Sequence, residues 1–231
     1  MIIKSFLNCT EQDIKSKKFN IFVGISLGNK YFSKENIRAY LRWALENTKD
    51  DVLVLIADTV HAINYEVFDG YSSERALQVT LRKGMEIEKS IEEIVRSLPK
   101  EKQSFIKIGR WDDVKKSQYY KDKIKIFLNE FKQNNQFHDF IIKIVQENLG
   151  SRASGLALSK LEKLSSYVLD ELPIILNGVE FEGKIYDLHP YPEFSCLDDL
   201  LMGLQNGTLF PELSKILEIK NKVAEVEAVV G

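Results

Sequence analysis

Two continuous apolar segments with a helical stretch between them constrain the fold of this chain most. Residues 19–25 (FNIFVGI) and 52–57 (VLVLIA) are short and rich in β-branched residues, which is typical of strands buried on both faces of a sheet. Between them, Ser33 is suited to cap a helix, and apolar residues recur at helical spacing from Ile37 to Leu45. Strands that alternate with helices indicate a parallel sheet with helices on both faces.

The alternation continues along the rest of the chain. Ser72 is suited to cap a long helix reaching Leu98, where Pro99 would end it. We further predict strands over 104–109, 173–176 and 183–188, helices near 112–132, 136–149 and 156–172, and a helix with a frayed end after Pro211. The sequence therefore predicts one Rossmann-like α/β domain over 1–231, with its core at about 19–210 and a mostly parallel sheet of about five strands. Ligands of such sheets bind beyond the carboxyl ends of the strands.

The composition narrows the class of protein. The formal net charge is −2, from 32 Lys and Arg against 34 Asp and Glu, so any RNA contact requires a local basic surface. No apolar run approaches the roughly 18 residues of a membrane span, and the N-terminal apolar stretch is too short for a secretory signal. Two cysteines, Cys9 and Cys196, make no disulfide framework. We therefore expect a cytoplasmic protein, and the sequence shows no heptad pattern or exposed apolar stripe that would point to an oligomer.

The turn after the first predicted strand has the sequence GISLGN, residues 24–29. It matches neither the dinucleotide-binding glycine pattern nor a Walker loop, but GISLG fits the G-x-S-x-G pattern of a nucleophile elbow. In that interpretation Ser26 is the nucleophile, and backbone N–H groups of the turn hold an oxyanion. The alternative is a tight turn without chemistry. A serine hydrolase would also need an Asp and then a His downstream, and neither His138 nor His189 lies in a recognisable setting.

A second candidate pair lies in the helix predicted over 156–172. Tyr167 and Glu171 are four residues apart and share a helix face. A carboxyl group partly buried beside a phenol has a raised proton affinity and can act as a general base. The alternative is a core tyrosine followed by a surface glutamate at the helix end.

Taken together, these motifs resemble the signatures of a known family. The segment GISLGNKYFS (24–33) after the first strand resembles the signature of cyclodipeptide synthases, and YVLDELP (167–173) resembles their second signature. Twenty residues beyond Glu171, Tyr191-Pro192 stands where the family has its third tyrosine. The resemblance extends over about 19–200. This chain combines Asn29 with Tyr191-Pro192, a mixture of the two branches of the family.

The resemblance implies a fold, a reaction and a partner. The family has a Rossmann domain related to the catalytic domains of class I tyrosyl- and tryptophanyl-tRNA synthetases. Its members are aminoacyltransferases that convert two aminoacyl-tRNAs into a cyclic dipeptide, a 2,5-diketopiperazine of secondary metabolism, without ATP or another cofactor. In agreement, the sequence lacks the His-x-Gly-His-like and Lys-Met-Ser-Lys-Ser-like motifs with which synthetases handle nucleotides.

The resemblance also implies roles for individual residues. Ser26 is expected to accept the first aminoacyl group as an ester, in ping-pong catalysis that continues through a dipeptidyl ester. Tyr167 and Glu171 are expected to hold its ammonium group, with Glu171 as proton acceptor. Tyr191 would assist ring closure, and Asn29 would position the serine turn and the acyl group.

Two pockets for the amino-acid side chains are expected from position in the chain. Phe22 and Gly24 on the first strand and Ile174 on the fourth predicted strand would line a first, apolar pocket. The residues expected at the second pocket, which would favour a polar or basic side chain, are Asn148, Glu193 and Ser195.

A row of basic residues on the helix after Ser72 is the predicted tRNA contact. Its members, seven residues apart and spanning about 30 Å, are Arg75, Arg82, Lys89 and Arg96. The alternative is a solvated face with i,i+4 pairs to Glu86 and Glu93. A second basic cluster consists of Lys115, Lys116, Lys121, Lys123 and Lys125.

Two other functions compete with the synthase. One is a synthetase-like tRNA-binding module without catalysis, which has no need for all four of Ser26, Tyr167, Glu171 and Tyr191. The other is a serine hydrolase that deacylates aminoacyl-tRNA and releases free amino acid. We expect no metal, because the three histidines lack ligand-like spacing.

Overall fold

The computed structural model describes residues 1–217 and 219–228, and the main feature of this part of the chain is a six-stranded sheet. Its strands are, in chain order, β1 (Ile2–Leu7), β2 (Ile21–Ser26), β3 (Val52–Ala57), β4 (Ile106–Arg110), β7 (Leu188–Tyr191) and β8 (Lys222–Glu227). The order across the sheet is β1-β8-β7-β2-β3-β4, with β1 antiparallel to β8 and every other neighbouring pair parallel. The short strands β5 (Val179–Phe181) and β6 (Lys184–Tyr186) form a separate hairpin.

Helices cover both faces of the sheet. They are α1 (Glu11–Lys15), α2 (Lys34–Asn47), α3 (Ala62–Phe68), α4 (Ser73–Arg96), α5 (Lys100–Gln103), α6 (Trp111–Lys115), α7 (Gln118–Gln133), α8 (Asn135–Leu149), α9 (Leu158–Asn177), α10 (Cys196–Gln205) and α11 (Pro211–Ile216). Single 3₁₀ turns lie at Thr59–His61 and Gly150–Ala153. The predicted α/β fold class, with a mostly parallel sheet flanked by helices, is confirmed.

Strand β2 joins two of the hydrophobic clusters, because successive side chains of a strand point to opposite faces. Ile21, Val23 and Ile25 pack with α2 and the C-terminal half of α4. Phe22 points the other way and packs with Trp111 of α6 and with residues of α9. A third cluster lies among α7, α8, α9 and α10. Burial on both faces explains the continuous apolar runs in β2 and β3.

Several predicted elements are confirmed. Strand β3 has the predicted bounds, and β2 and β4 lie within two residues of theirs. Ser33 caps α2 by accepting a hydrogen bond from the Asn36 N–H at 3.2 Å, and Ser72 caps α4 by accepting one from the Arg75 N–H at 3.3 Å. Their hydroxyls satisfy N–H groups that have no partner within the helix.

The strand predicted over 173–176 is wrong, because these residues are the last turn of helix α9. Pro173, Ile174 and Leu176 are all buried, so that the end of the helix is apolar around most of its circumference. A short run of this kind cannot be distinguished by periodicity from a buried strand. Pro173 removes only the N–H that would bond to the Leu169 carbonyl, and packing on both sides keeps the helix intact.

The ends of the sheet also differ from the prediction. The strand predicted over 183–188 is divided between β6, in the hairpin, and the start of β7, in the main sheet. After the helix α11, residues 222–227 form β8 instead of the predicted frayed helix, inserted between β1 and β7. The last residues of the predicted helix, 229–231, lie outside the described residues. Strands β1 and β8 therefore extend the sheet beyond the predicted core of 19–210.

Candidate active site

A cavity of about 390 Å³ lies at the carboxyl ends of β2, β3 and β7, where the sequence predicted chemistry. The strands contribute Ser26, Ala57 and Tyr191 to its wall, and the helix α9 contributes Tyr167 and Glu171. The catalytic candidates on β2, α9 and β7 are thus brought together from distant parts of the sequence.

Ser26 is the last residue of β2 and begins the turn that leads out of the sheet. Gly28 has a φ of 78°, a left-handed conformation that suits glycine. The Asn29 N–H donates to the Ser26 carbonyl at 3.4 Å, and Asn29 Oδ1 accepts from the Tyr31 N–H at 3.0 Å. The turn therefore fixes the backbone around Ser26 and leaves its side chain half-buried at the cavity.

Tyr167 and Glu171 form a hydrogen-bonded pair on the cavity side of α9. Burial raises the pKa of Glu171 to about 7, and the hydrogen bond from Tyr167 opposes that shift. Burial, followed by the nearby charge of Glu171, holds the pKa of Tyr167 well above its usual value. The predicted raised proton affinity of Glu171 is confirmed. This carboxyl group can take up and release a proton near neutral pH, whereas the phenol remains protonated.

Tyr191 approaches the same serine from β7. Its hydroxyl interacts by hydrogen bonding with Ser26 and with the Asn29 side chain, and the Tyr167 hydroxyl also interacts with Ser26. Burial and the charge of Glu171 raise the pKa of Tyr191. Two protonated phenols therefore flank the serine hydroxyl, one of them in contact with Glu171.

His61 is a cavity residue that the sequence analysis did not assign to the site. It ends the 3₁₀ turn after β3, where Asp58 Oδ1 accepts from the Thr59 N–H at 2.8 Å and the Asp58 carbonyl accepts from the His61 N–H at 3.0 Å. Its Nε2 lies 3.3 Å from the Tyr167 hydroxyl. Burial, and then the charge of Lys83, lower the pKa of His61 to about 4, so the ring is neutral. The sequence feature that could have indicated this role is the position of His61, four residues beyond a buried parallel strand.

His189, which the sequence analysis considered only as a hydrolase or metal residue, forms part of the cavity wall from β7. Its ring stacks on Phe22 with 4.5 Å between centroids, and burial lowers its pKa to about 4. A Cβ at Gly24 would lie 3.0 Å from His189 Nε2. A glycine at position 24 therefore gives the imidazole room to lie against the strand.

Most residues predicted for the two side-chain pockets line this one cavity. Phe22, Gly24 and Ile174 do so, although Ile174 reaches it from α9 and not from a strand. Asn148 and Ser195 also line it, together with two residues that sequence reasoning missed, Arg152 and Asp198.

Glu193 departs from the expectation for the second pocket. Its side chain is exposed and lies outside the cavity lining. Two residues later, Ser195 caps α10, with its backbone N–H donating to Asp198 Oδ2 at 2.7 Å. The cap brings Ser195 and Asp198 to the cavity and leaves Glu193 on the solvent side.

The predicted tRNA-binding row lies on the outside of α4. All four of its residues are exposed: Arg75, Arg82, Lys89 and Arg96. Arg96 pairs with Glu92 at 2.7 Å, and Glu93 pairs with Lys34 at 2.7 Å instead of with Lys89. In the second basic cluster, salt bridges join Lys115 to Asp170, Lys116 to Asp113 and Lys125 to Asp122. The α4 row is therefore the less neutralised of the two.

An aromatic and basic cluster includes Arg75 of this row. The rings of Tyr65 and Tyr71 are stacked, with 6.2 Å between centroids and 13° between planes. Arg75 lies 4.0 Å from the centre of the Tyr71 ring, and Lys83 Nζ donates to the Tyr65 hydroxyl at 2.5 Å. Asn64, next to Tyr65, lines the cavity.

Over residues 1–217 and 219–228, no helix is both long and apolar enough to cross a membrane. The same residues contain no group of three or more His, Cys, Asp or Glu side chains that could hold a metal ion.

Comparison with known proteins gives consistent matches. The family model for cyclodipeptide synthases matches residues 7–209. A cyclo(L-leucyl-L-leucyl) synthase from Staphylococcus haemolyticus is 30% identical over 183 residues, which cover 75% of this chain and 75% of that protein.

Solved structures share the fold. A cyclodipeptide synthetase from Mycobacterium tuberculosis, described as related to type I tRNA synthetases, has a TM-score of 0.68 and 21% identity, with 87% of each chain covered. A cyclodipeptide synthase from Candidatus Glomeribacter gigasporarum, solved bound to Phe-tRNAPhe, has a TM-score of 0.61 and 16% identity, with 92% of this chain and 89% of that chain covered.

Proposed function

The chain belongs to the cyclodipeptide synthase family, and on this premise we propose that it is an aminoacyltransferase that joins two tRNA-borne aminoacyl groups through ester intermediates on Ser26. One observation carries the proposal. The Ser26 hydroxyl interacts with the hydroxyls of both Tyr167 and Tyr191, and Glu171, a carboxyl group with a pKa of about 7 that interacts with Tyr167, lines the same cavity. The complex of a relative with Phe-tRNAPhe supports aminoacyl-tRNA as the substrate class.

In the first step, Ser26 Oγ attacks the carbonyl of the first aminoacyl ester. The bond to the terminal ribose oxygen breaks, and the serine proton passes to that oxygen through the hydroxyl of Tyr191, which hydrogen-bonds with Ser26. Deacylated tRNA leaves. The ester already supplies the activation, so the step requires no ATP.

In the second step, the ammonium group of the bound aminoacyl ester loses its proton to Glu171, whose pKa of about 7 is matched to that transfer. The free amine attacks the ester carbonyl of the second aminoacyl-tRNA and forms the peptide bond. The bond to the ribose oxygen breaks, that oxygen takes up the proton that the amine loses, and the second tRNA leaves. A dipeptidyl group then remains on Ser26.

In the last step, the amine of the second residue attacks the ester carbonyl at Ser26. The ring closes as a diketopiperazine, and the amine proton returns to Ser26 Oγ through Tyr191. Asn29 interacts with the Tyr191 hydroxyl and so orients it for both proton transfers.

The residues of both proposed pockets line the same cavity. Phe22, Gly24 and Ile174 form an apolar lining for the first side chain, whereas Asn148 and Ser195 are polar and suit a second side chain with hydrogen-bonding capacity. Glu193 does not contribute to this second lining, in which the carboxyl group beside Ser195 is that of Asp198.

The tRNA body approaches over α4 in this proposal. Arg75, Arg82, Lys89 and Arg96 present exposed charge for phosphates. We also propose that the protein acts as a monomer in the cytoplasm without a metal, which light scattering of purified protein and assays with a chelator test.

The rival functions have less support. A serine hydrolase uses a histidine to activate the serine. Here Ser26 interacts with two phenols, while His61 contacts Tyr167 and the Nε2 of His189 is buried against Gly24. A module that only binds tRNA would not require this arrangement.

The test is mass spectrometry of the culture medium of bacteria that express the wild type or Ser26→Ala. We expect a new cyclic dipeptide from the wild type alone, whose mass identifies both amino acids. Free amino acid released from aminoacyl-tRNA by the purified protein, without any diketopiperazine, would instead establish a hydrolase. Undiminished product from Ser26→Ala would overturn the proposed mechanism.

A further inference from the structure

His61 has no role in the reaction as proposed above, although it lies in the cavity against one of the residues that perform it. Its ring and that of Tyr167 are 5.0 Å apart between centroids and nearly perpendicular, at 71°. The contact joins two elements that are distant in sequence, the 3₁₀ turn after β3 and the helix α9.

The hydrogen bonds of His61 define where its proton lies. Asn64 Nδ2 lies 3.3 Å from His61 Nδ1. With the Asn64 amide nitrogen as the donor, Nδ1 is the acceptor and carries no proton. The ring is neutral, so its single proton is on Nε2, which lies 3.3 Å from the Tyr167 hydroxyl. His61 therefore donates to the phenol oxygen.

This direction determines the direction of the next bond. The Tyr167 oxygen accepts from His61, so its own O–H is available to donate to Glu171, with which it is hydrogen-bonded. The result is a chain of donors that runs from Asn64 through His61 and Tyr167 to the Glu171 carboxylate.

We propose that His61 is a positioning residue of the synthase, which as the Nε2–H tautomer holds the Tyr167 hydroxyl toward Glu171 so that both face the ammonium group of the aminoacyl ester. The inference rests on the proposed function for its chemical consequence. The inference goes beyond the proposed function by adding Asn64 and His61 to the groups that determine the geometry of the site.

A neutral imidazole suits this place. A protonated ring would bring a second positive charge close to the substrate ammonium, which Glu171 must attract. Burial and the charge of Lys83, 22 residues away in sequence on α4, both disfavour that form.

A set of variants tests the positioning role. We expect His61→Leu to lower the rate of cyclodipeptide formation about tenfold, because Tyr167 loses its fixed donor. The change should appear in kcat and leave KM for aminoacyl-tRNA within about twofold. His61→Gln can present an amide N–H to Tyr167 and should recover part of the rate. His138→Leu, on α8 and in contact with Asp139, is the matched control and should retain wild-type activity.

The coupling to Tyr167 distinguishes positioning from a general effect on folding. In a Tyr167→Phe background there is no hydroxyl to hold, so His61→Leu should cause little additional loss. Equal losses from His61→Leu in the two backgrounds, or full activity of His61→Leu in the wild-type background, would overturn the proposal.

A measurement without substrate separates this inference from the proposed function. With nitrogen-15-labelled histidine, the ring signals of His61, assigned through His61→Gln, should be those of the neutral Nε2–H tautomer, and Tyr167→Phe should shift them. An Nδ1–H tautomer would overturn the inference even in an active enzyme. If the wild type forms no cyclic dipeptide, the proposed function fails, while the observed tautomer still shows whether His61 donates to Tyr167.

Discussion

At the scale of single residues, the electrostatics of Glu171 are central. The side chain is held beside Tyr167 with its pKa raised to about 7, mainly by burial. Such a group favours protonation in the folded state, because the cavity solvates the carboxylate less well than water does. The feature that makes it a suitable proton acceptor therefore reduces stability above neutral pH.

The stability of a Glu171→Gln variant tests this pKa. An unfolded glutamate titrates near 4.5 and the folded one near 7, so the folded state binds more protons between these values. The free energy of unfolding contributed by Glu171 thus falls as the pH rises from about 4.5 to 7. At pH 8 Glu171→Gln should be more stable than the wild type by about 1–3 kcal/mol, and the difference should decrease toward pH 5.

Urea denaturation at several pH values measures the effect, with Glu162→Gln on the same helix as the control for charge removal. Glu162 is exposed, so the stability difference between Glu162→Gln and the wild type should change little with pH. A difference for Glu171→Gln that stayed constant from pH 5 to 8 would contradict the raised pKa.

Gly24 gives a second prediction at this scale. In Gly24→Ala the new methyl group would lie 3.0 Å from His189 Nε2, so the stacked imidazole must move into the cavity. We expect a loss of about 1–2 kcal/mol in thermal denaturation and a lower yield of cyclic dipeptide. His189→Ala should relieve the strain, so the double variant Gly24→Ala/His189→Ala should lose less stability than the sum of the two single variants. Strict additivity would argue against this contact.

At the scale of elements, local patterns identified the parts of the sheet that are buried on both faces. Strands β2 and β3 have near-continuous apolar runs, and Ser33 and Ser72 mark the starts of α2 and α4. The end of α9 was not predictable, since Pro173 and its apolar neighbours match a strand as well as a buried helix. Ile174 therefore lies on a helix and not on the predicted strand, but it lines the cavity as predicted.

The helix α4 carries the prediction for tRNA. The double variant Arg82→Glu/Lys89→Glu should weaken tRNA binding at least about tenfold at moderate salt and reduce the steepness of the salt dependence, because phosphate contacts are lost. The control is Lys121→Glu/Lys125→Glu, which reverses two charges of the second basic cluster on α7. Filter binding over a salt series measures both variants. Weaker binding by the control alone would assign the tRNA surface to α7.

At the scale of the whole molecule, the sheet depends on pairing between the two ends of the described chain. The strand β8 lies between β1 and β7, and β7 carries Tyr191. Sequence reasoning missed this arrangement because β1 and β8 contain polar residues and β7 has only four residues. Such segments become strands only when partners from elsewhere in the chain pair with them. The cluster of Ser26, Tyr167, Glu171 and Tyr191 was predictable from motifs. His61 had only a positional signal, four residues beyond a buried strand, and the places of His189 and Arg152 depend on tertiary packing that no local pattern records.

A substitution far from the cavity tests this dependence. Val226 on β8 is fully buried, so Val226→Asp places an unpaired charge in the core and should destabilise the protein by about 3–5 kcal/mol. Glu227→Ala, the next residue, removes only an exposed salt bridge with Lys4 and should change stability by less than about 1 kcal/mol. Chemical denaturation measures both. Equal effects of the two variants would contradict the placement of β8 within the sheet.

The most direct test of an aminoacyl ester on Ser26 is intact-protein mass spectrometry after brief incubation with aminoacyl-tRNA. We predict that the wild type gains the mass of one aminoacyl group, located by peptide mapping to Ser26, and that Ser26→Ala gains none. A cyclic dipeptide formed without any acylated enzyme, or an acyl group attached at another residue, would contradict the ester mechanism on Ser26.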